Sequence, residues 1–318
     1  MHEPRFDLLG ISKPLSFKLP KIKSPLKWLD NTILTRQDIK KIFPWAKSII
    51  IVGLYYNTDF QKALSKHPDY MSISKYAILR DYHKIIPKKL KNLIKFLKTQ
   101  HTIFKYKIHS DSFPVFEKGY AIHTLGGTIG YNNLWHSPLG TFILLGGAIT
   151  DIPPGVLEKL LIPDIKSYRR FIYQDSPFYN PFCSLPHAIC PSCNMCKKAC
   201  PTKALTPFFR INKCIGYFTA EHKGKIPKSI QQKMKNILFG CDICQDICTY
   251  NKLINIKLNK KQLEKRFGKV INRAWHISVL KRMSAHGFYK AFSGTPVIRM
   301  RYYKFKDRVK TYIKTRKN

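Results

Sequence analysis

Acidic side chains are scarce in this sequence. Only 18 Asp and Glu stand against 57 Lys and Arg, giving a formal net charge of +39. A background rich in Lys, Ile and Asn explains part of the excess but not the shortage of acids. So lopsided a balance favours a polyanionic partner, because each phosphate neutralised by a cation releases counterions. Nucleic acid is the first expectation and a membrane surface the weaker one. No apolar run approaches the roughly 20 residues of a membrane helix. The longest, Ser48-Ile49-Ile50-Ile51-Val52-Gly53-Leu54, has the length of a buried strand. The opening Met1-His2-Glu3-Pro4-Arg5 lacks the charged-then-apolar pattern of a secretory signal, so a cytoplasmic chain with no membrane partner is expected. The dinucleotide fingerprint G-x-G-x-x-G is missing too. Leu125-Gly126-Gly127-Thr128-Ile129-Gly130 is glycine-rich but does not match it, and reads either as a turn or as a close approach to a ligand. Cysteine is missing from both ends of the chain. All nine cysteines lie between Cys183 and Cys248, which argues against a disulfide framework spread through the fold.

With 44% hydrophobic residues, the 318-residue chain has enough apolar content for a packed core. Three stretches are expected in a mixed α/β, or α+β, fold. Residues 1–174 form a sheet-and-helix domain with strands at Ile49–Leu54 and Thr141–Leu145. Between them Pro87 opens a helix with Leu90, Leu93, Ile94 and Leu97 on one face and lysines on the other. Residues 175–255 hold the cysteines and are punctuated by Pro177, Pro181, Pro186, Pro191 and Pro201. Residues 256–318 carry 19 Lys and Arg against only Glu264 and Asp307, and read as short helices ending in a basic tail from Arg301.

Cys190-x2-Cys193-x2-Cys196-x3-Cys200-Pro201 has the spacing of bacterial ferredoxins. Two-residue gaps let three thiolates on one tight loop reach three corners of a cubane. The fourth cysteine, carried off on a short helix, serves a second cluster. Cys214 with Cys241-x2-Cys244-x3-Cys248 repeats the pattern around a long insertion. Crossed ligation assigns Cys190, Cys193, Cys196 and Cys248 to one [4Fe–4S] cluster, and Cys200, Cys214, Cys241 and Cys244 to the other. Cys183 is left over and reads as a small buried residue. Zinc is a poorer match to this spacing than a cubane.

A two-cluster ferredoxin needs far fewer residues than this, so the N-terminal half is expected to hold the chemistry or the electron acceptor. In His109-Ser110-Asp111-Ser112-Phe113-Pro114-Val115-Phe116-Glu117-Lys118 a carboxylate precedes an apolar, proline-containing turn. A carboxyl against apolar surface has its pKa raised by desolvation and can hold a proton near neutral pH. The plainer alternative makes Asp111 a turn or cap residue and Glu117 a surface group.

The chain also resembles a known family. Tyr76-Ala77-Ile78-Leu79-Arg80-Asp81-Tyr82-His83, Asp111 to Lys118, Leu144-Leu145-Gly146 and Thr150-Asp151 carry the likeness. So do Cys200-Pro201-Thr202-Lys203-Ala204-Leu205, Cys214-Ile215-Gly216-Tyr217-Phe218-Thr219, Phe239-Gly240-Cys241-Asp242-Ile243-Cys244-Gln245 and Phe292-Ser293-Gly294-Thr295-Pro296. Together they resemble the epoxyqueuosine reductases, cobalamin-dependent iron–sulfur enzymes of queuosine synthesis in tRNA. The resemblance covers residues 45–300 or so. It implies that clusters feed electrons to a base-off cobalamin, that reduced cobalt opens the epoxide of the modified base, and that the oxygen leaves as water. Asp111 stands where the family has its proposed proton donor. Ser74, Asp111, Gly216 and Tyr217 are the implied cobalamin contacts, and a tRNA anticodon loop is the implied partner. The lysines at 88–98 and the basic tail are then phosphate-contact candidates. A monomer served by an external donor such as a flavodoxin or ferredoxin is expected. Two alternatives are a diverged cobalamin and iron–sulfur reductase of another substrate, and a non-enzymatic electron-transfer protein. The sequence differs from the family at Gly127-Thr128-Ile129-Gly130-Tyr131-Asn132, where an aromatic and a lysine are replaced. It differs again at Thr249, which stands where proline is usual.

Overall fold

The computed structural model describes residues 6–18, 32–101, 103–111, 113–161, 190, 193–206 and 209–317. Ser112, Cys183 and the prolines from Pro177 to Pro191 lie outside the described residues. The chain divides into two compact units, Met1–Tyr55 with Tyr82–Ser192, and Tyr56–Asp81 with Cys193–Asn318. Residues 56–81 therefore pack with the cysteine-bearing and C-terminal stretches, across the boundary at 174 drawn from the linear sequence. Among the described residues, no helix is long and apolar enough to cross a membrane.

The first unit is built on a four-stranded antiparallel sheet in the order Leu8–Ser12, Ser48–Tyr55, Ile143–Thr150, Tyr106–His109. Every residue of the Ser48–Tyr55 strand is buried, which is why it reads as an unbroken apolar run rather than an alternating one. Ile49 and Ile51 face a core that includes Leu8, Val115, Tyr120 and Ala121, to which the helix Glu117–Leu125 contributes. The helix Tyr82–Gln100 packs against the Ile143–Thr150 strand. It buries Ile85, Ile86, Leu90, Leu93, Ile94 and Leu97 and leaves Lys88, Lys91, Lys95 and Lys98 exposed. This helix starts at Tyr82, so Pro87 lies inside it rather than at its opening. The proline removes one intrahelical hydrogen bond, and the apolar face on both sides of it holds the helix to the sheet. The Ile143–Thr150 strand runs five residues past the expected Leu145 because Gly146 and Gly147 continue the pairing with Ser48–Tyr55. Glycine is required at 147: a Cβ there would lie 2.1 Å from the Ile50 carbonyl oxygen and 2.8 Å from His109 Nε2.

The second unit holds a three-stranded sheet. Tyr70–Ile73 runs parallel to Ile237–Phe239 and antiparallel to Ala274–His276. Helices Ile277–Arg282, Ala285–Phe292 and Arg301–Lys317 follow. Phe288, Phe292 and Phe305 pack ring against ring beneath them. The basic tail is thus a packed helix. Arg308 is 1% exposed and its Nε donates to the Ile237 carbonyl at 2.9 Å, with Nη2 on the Lys235 carbonyl. Burial pulls the Arg308 pKa down to about 10. Lys304 is buried too, with Nζ on the Phe218 carbonyl at 3.4 Å. These two cations satisfy backbone carbonyls and are withdrawn from the phosphate-contact candidates; Arg301, Lys310, Lys314 and Arg316 remain exposed.

The close approach at Gly147 sets a stability expectation. Gly147→Ala destabilises the protein by about 1–3 kcal/mol, since backbone and a buried ring must both move. Gly155→Ala, where nothing lies within 4 Å of the added Cβ, stays within about 0.5 kcal/mol of the parent. Denaturant unfolding of the two variants side by side checks the difference.

Candidate functional site

Short helices carry the cysteines of the second unit. Met195–Ala199 places Cys196 within its turn and ends at Cys200, whose N–H donates to the Cys196 carbonyl. Cys214 caps Ile215–Ala220, and Cys248 caps Thr249–Ile254. Burial pushes the Cys241 thiol up strongly, and the neighbouring Cys214 and Cys200 add to the effect. Cys244 is driven well up by burial and then by Cys241, Cys214 and Cys196. Burial also raises Cys214, against N–H groups of Tyr217 and Gly216 that favour its thiolate. Cys214, Cys241 and Cys244 therefore sit in one another's fields in water-poor surroundings, with Cys200 acting on Cys214 and Cys241. Four negative sulfurs are untenable there unless iron neutralises them, which is the donor set a cubane needs. A cubane gives each thiolate its own iron, so the sulfurs need not converge on one ion. Among the described residues, no group of three His, Cys, Asp or Glu is placed around a single-ion site.

Cys193 behaves differently. Its sulfur lies 3.2 Å from Thr249 Oγ1, and that hydroxyl is the main cause of its lowered pKa. Cys190, in the first unit, accepts the Tyr131 N–H at 3.4 Å. The departure at Thr249 thus places a hydroxyl on a cysteine sulfur, while the glycine-rich stretch reaches Cys190 through a backbone N–H. The glycine-rich stretch folds around its own hairpin instead of opening towards a ligand: His136 Nε2 lies 3.3 Å from Asn132 Oδ1, and burial lowers the His136 pKa to about 4.

Asp111 belongs to the first unit and has φ 57, in the left-handed region that is costly for a side chain with a Cβ. Its N–H donates to Glu117 Oε1 at 3.0 Å. The same carboxylate oxygen accepts His109 Nδ1–H at 2.8 Å, with the His109 side chain fully buried and that of Glu117 11% exposed. Tyr82 donates its hydroxyl to Asp111 Oδ2 at 2.7 Å, and His83 Nε2 lies 3.7 Å from the same oxygen. Arg36 and Lys118 both feel the two carboxylates, although burial is the larger influence and pulls both cations' pKa values down. Two sequence-based expectations are corrected. The Asp111 side chain is 63% exposed rather than pressed on apolar surface, because Tyr82 and the Glu117 anchor hold it outward. Glu117 is an interior anchor rather than a surface group.

Ser74, Gly216 and Tyr217 all fall in the second unit. Ser74 is 4% exposed and its hydroxyl has no hydrogen-bond partner. It lies against Gly240, which has φ +67 and whose Cβ, were there one, would stand 2.0 Å from Ser74 Oγ. Gly240 N–H donates to Thr219 Oγ1 at 2.9 Å, and that hydroxyl donates to the Gly216 carbonyl at 3.1 Å. Ser74 and Gly216 are therefore linked through residues that flank Cys241 and Cys214. The Ser74 hydroxyl, buried and without a partner among the described residues, fits a cofactor rich in amides.

Residues 36–112 match the family model described as epoxyqueuosine reductase QueG, and residues 189–251 match the 4Fe-4S double cluster binding domain. An epoxyqueuosine reductase of Cyclobacterium marinum is 31% identical over 308 residues, covering 90% of this chain and 91% of that one. One from Prochlorococcus marinus is 34% identical over 266 residues, covering 78% and 75%. The chain belongs to the epoxyqueuosine reductase family. It is thereby an oxidoreductase with a double [4Fe–4S] cluster domain. Solved structures of the family share the fold. Epoxyqueuosine reductase with an epoxyqueuosine-modified tRNA-Tyr stem loop superposes with a TM-score of 0.70 at 22% identity, covering 98% of this chain and 78% of that chain. The enzyme from Streptococcus thermophilus gives 0.71 at 18% identity, covering 98% and 78%.

Sequence reading singled out the cysteines, Asp111 and Ser74. It did not assign the roles of the residues around them: Tyr82, His83, His109, Glu117, Thr249 and Thr219. Tyr82, His83 and Thr219 lie inside motifs that carry the family likeness, which is the one signal that could have singled them out. In this epoxyqueuosine reductase relative, the Thr249 hydroxyl should stabilise the reduced cluster at Cys193, since hydrogen bonds to cluster sulfurs raise the potential. Thr249→Val is expected to retain full iron while the potential of one cluster falls. An electrochemical titration followed by EPR reads both.

Proposed function

We propose that this chain reduces epoxyqueuosine to queuosine in a tRNA anticodon loop. The observation that carries the reading is the match over nine-tenths of both chains to a relative named epoxyqueuosine reductase, in a chain that also matches the 4Fe-4S double cluster binding domain. The solved relative bearing an epoxyqueuosine-modified stem loop supports the substrate class. Crossed ligation by Cys190, Cys193, Cys196 and Cys248 and by Cys200, Cys214, Cys241 and Cys244 completes two clusters, which supply electrons one at a time. Ser74, Gly216 and Tyr217 would hold a cobalamin, which when bound supplies a strongly reducing cobalt centre.

Conversion of an epoxide to an alkene breaks both C–O bonds, consumes two electrons and two protons, and releases the oxygen as water. Asp111 is the residue we assign to proton delivery. Seating a base over it excludes water, and that desolvation raises its proton affinity towards the neutral range when the proton is needed. Tyr82, by donating to Oδ2, fixes which oxygen faces the substrate. Glu117 is a positioning residue: by accepting the Asp111 N–H while held by His109, it keeps the loop in a left-handed conformation the backbone would not choose alone. Exposed lysines along Tyr82–Gln100, together with Arg301, Lys310 and Lys314, are positioned to meet phosphates. Such contacts orient RNA without reading its sequence, while the target base is splayed out of the loop. A soluble flavodoxin or ferredoxin is the proposed electron source for a monomeric, cytoplasmic enzyme.

Nucleosides from tRNA of a strain lacking this gene should contain epoxyqueuosine in place of queuosine, and the intact gene should restore queuosine. Unchanged queuosine in the deletion strain would refute the assignment. In the purified, reconstituted enzyme, Asp111→Asn should abolish turnover with iron and cobalt content unchanged. Glu117→Ala should lower kcat by about 10²-fold at similar KM. Glu117→Gln, which keeps an acceptor oxygen, should recover most of that loss.

A further inference from the structure

The loop that carries Cys241 and Cys244 also carries a buried carboxylate. Asp242 lies between the two cysteines and is 7% exposed. Its Oδ2 accepts the Lys75 N–H at 2.8 Å and lies 3.5 Å from Arg273 Nη2. Lys75 is 2% exposed, an unusual place for an ammonium group. Its Nζ donates to Asn57 Oδ1 at 2.9 Å and to Asp246 Oδ1 at 2.6 Å. Asp246, between Cys244 and Cys248, is also 3.6 Å from Arg273 Nη2, and Arg273 itself is 6% exposed. Two cations and two carboxylates thus form one network of formal charge zero. The cations come from segments far away in sequence, one just after the Tyr70–Ile73 strand and one just before Ala274–His276. The matching positions of the first motif, Asn194 for Asp242 and Lys198 for Asp246, include no acid.

Burying Lys75, Asp242 and Arg273 as ionised groups is expensive, and replacing such a set with apolar residues is often neutral or stabilising. Stability alone is therefore a poor reason for this network. A cluster that accepts an electron becomes more negative, so a nearby carboxylate opposes reduction and a nearby cation favours it. In surroundings this dry, a full charge is weakly screened and acts over several ångströms. We propose that Lys75 and Arg273 set the reduction potential of the cluster bound by Cys241 and Cys244, holding it above the value that Asp242 alone would impose. The two halves of a doubled cysteine motif would otherwise offer similar surroundings. This network makes them unequal and so gives electron flow between the clusters a preferred direction. Lys75 and Arg273 touch neither substrate nor reacting atoms; they act through the cluster loop. The inference rests on the assignment of Cys241 and Cys244 as cluster ligands.

The test is a potentiometric titration, read by EPR, of anaerobically purified holoprotein carrying Lys75→Met, Asp246→Asn, or both. Lys75→Met is expected to lower the potential of one cluster, changing its reduced-to-oxidised ratio by about tenfold at a fixed applied potential. Asp246→Asn should raise it, by less, because its side chain is 43% exposed and solvent screens it. The double variant removes one charge of each sign and should return close to the parent value. A structural ion pair predicts no such opposite signs and no such compensation. Unchanged potentials in both single variants, or a double variant that stays as low as Lys75→Met, overturns the proposal. Should Lys75→Met fail to retain iron, Asp246→Asn decides alone: a potential equal to the parent's overturns it. Parent protein without cluster signals after reconstitution would instead sink the ligand assignment underneath it.

Discussion

A thiolate in a dry pocket is unstable unless a cation meets it, and much of the second unit is arranged around that constraint. Cys214, Cys241 and Cys244 crowd one another's charge, and burial drives their protons on rather than off. Iron reverses that balance, so cluster assembly and packing of the unit are coupled. The short helices that carry the cysteines have little stability of their own; none exceeds six residues. Their placement depends on what the sulfurs bind and on the sheet behind them. There Gly240, in a left-handed conformation, lets the backbone turn from the Ile237–Phe239 strand into Cys241 directly over Ser74.

The same electrostatics governs how the large positive charge is used. A count of +39 invites the view that every basic residue awaits a phosphate. Lys75, Arg273, Lys304 and Arg308 show otherwise: each is almost wholly buried and is held by carboxylates or carbonyls. Arginine and lysine can be interior residues when their donors are matched, since the loss is in unpaired charge rather than in charge itself. What remains for a nucleic-acid partner is the exposed set, Lys88, Lys91, Lys95 and Lys98 on Tyr82–Gln100 and Arg301, Lys310 and Lys314 on Arg301–Lys317, since Arg316 is held by Asp69 at 2.7 Å.

Legibility followed the range of the interaction that fixes each feature. The cysteine pattern is local and chemically exacting, so spacing alone pointed to the double [4Fe–4S] cluster domain. The Ser48–Tyr55 strand and the apolar face of Tyr82–Gln100 are also local, being set by composition and period. The Ile143–Thr150 strand was half legible, because two glycines look like a break in a sequence and only the approach of Ile50 and His109 explains them. Residues 56–81 gave no sign of leaving the first stretch for the second unit. The Tyr70–Ile73 strand does so because its partners lie some 165 and 205 residues further on, at Ile237–Phe239 and Ala274–His276. The Lys75–Asp242–Arg273 network is invisible for the same reason: each member alone is an ordinary charged residue.

Asp111 shows how a sequence argument can reach a sound residue by an incomplete route. The adjoining apolar turn suggested a carboxyl already desolvated; the structure gives one that is exposed, tethered through its backbone and aimed by Tyr82. A permanently buried acid would hold a proton at all times and would have to be shielded from every other base. An exposed acid on a strained but anchored loop is desolvated only when a substrate covers it. The strain at φ 57 then has a purpose. The His109–Glu117 anchor lies in the interior, where its geometry is rigid, and it fixes the one exposed residue whose position the chemistry must control.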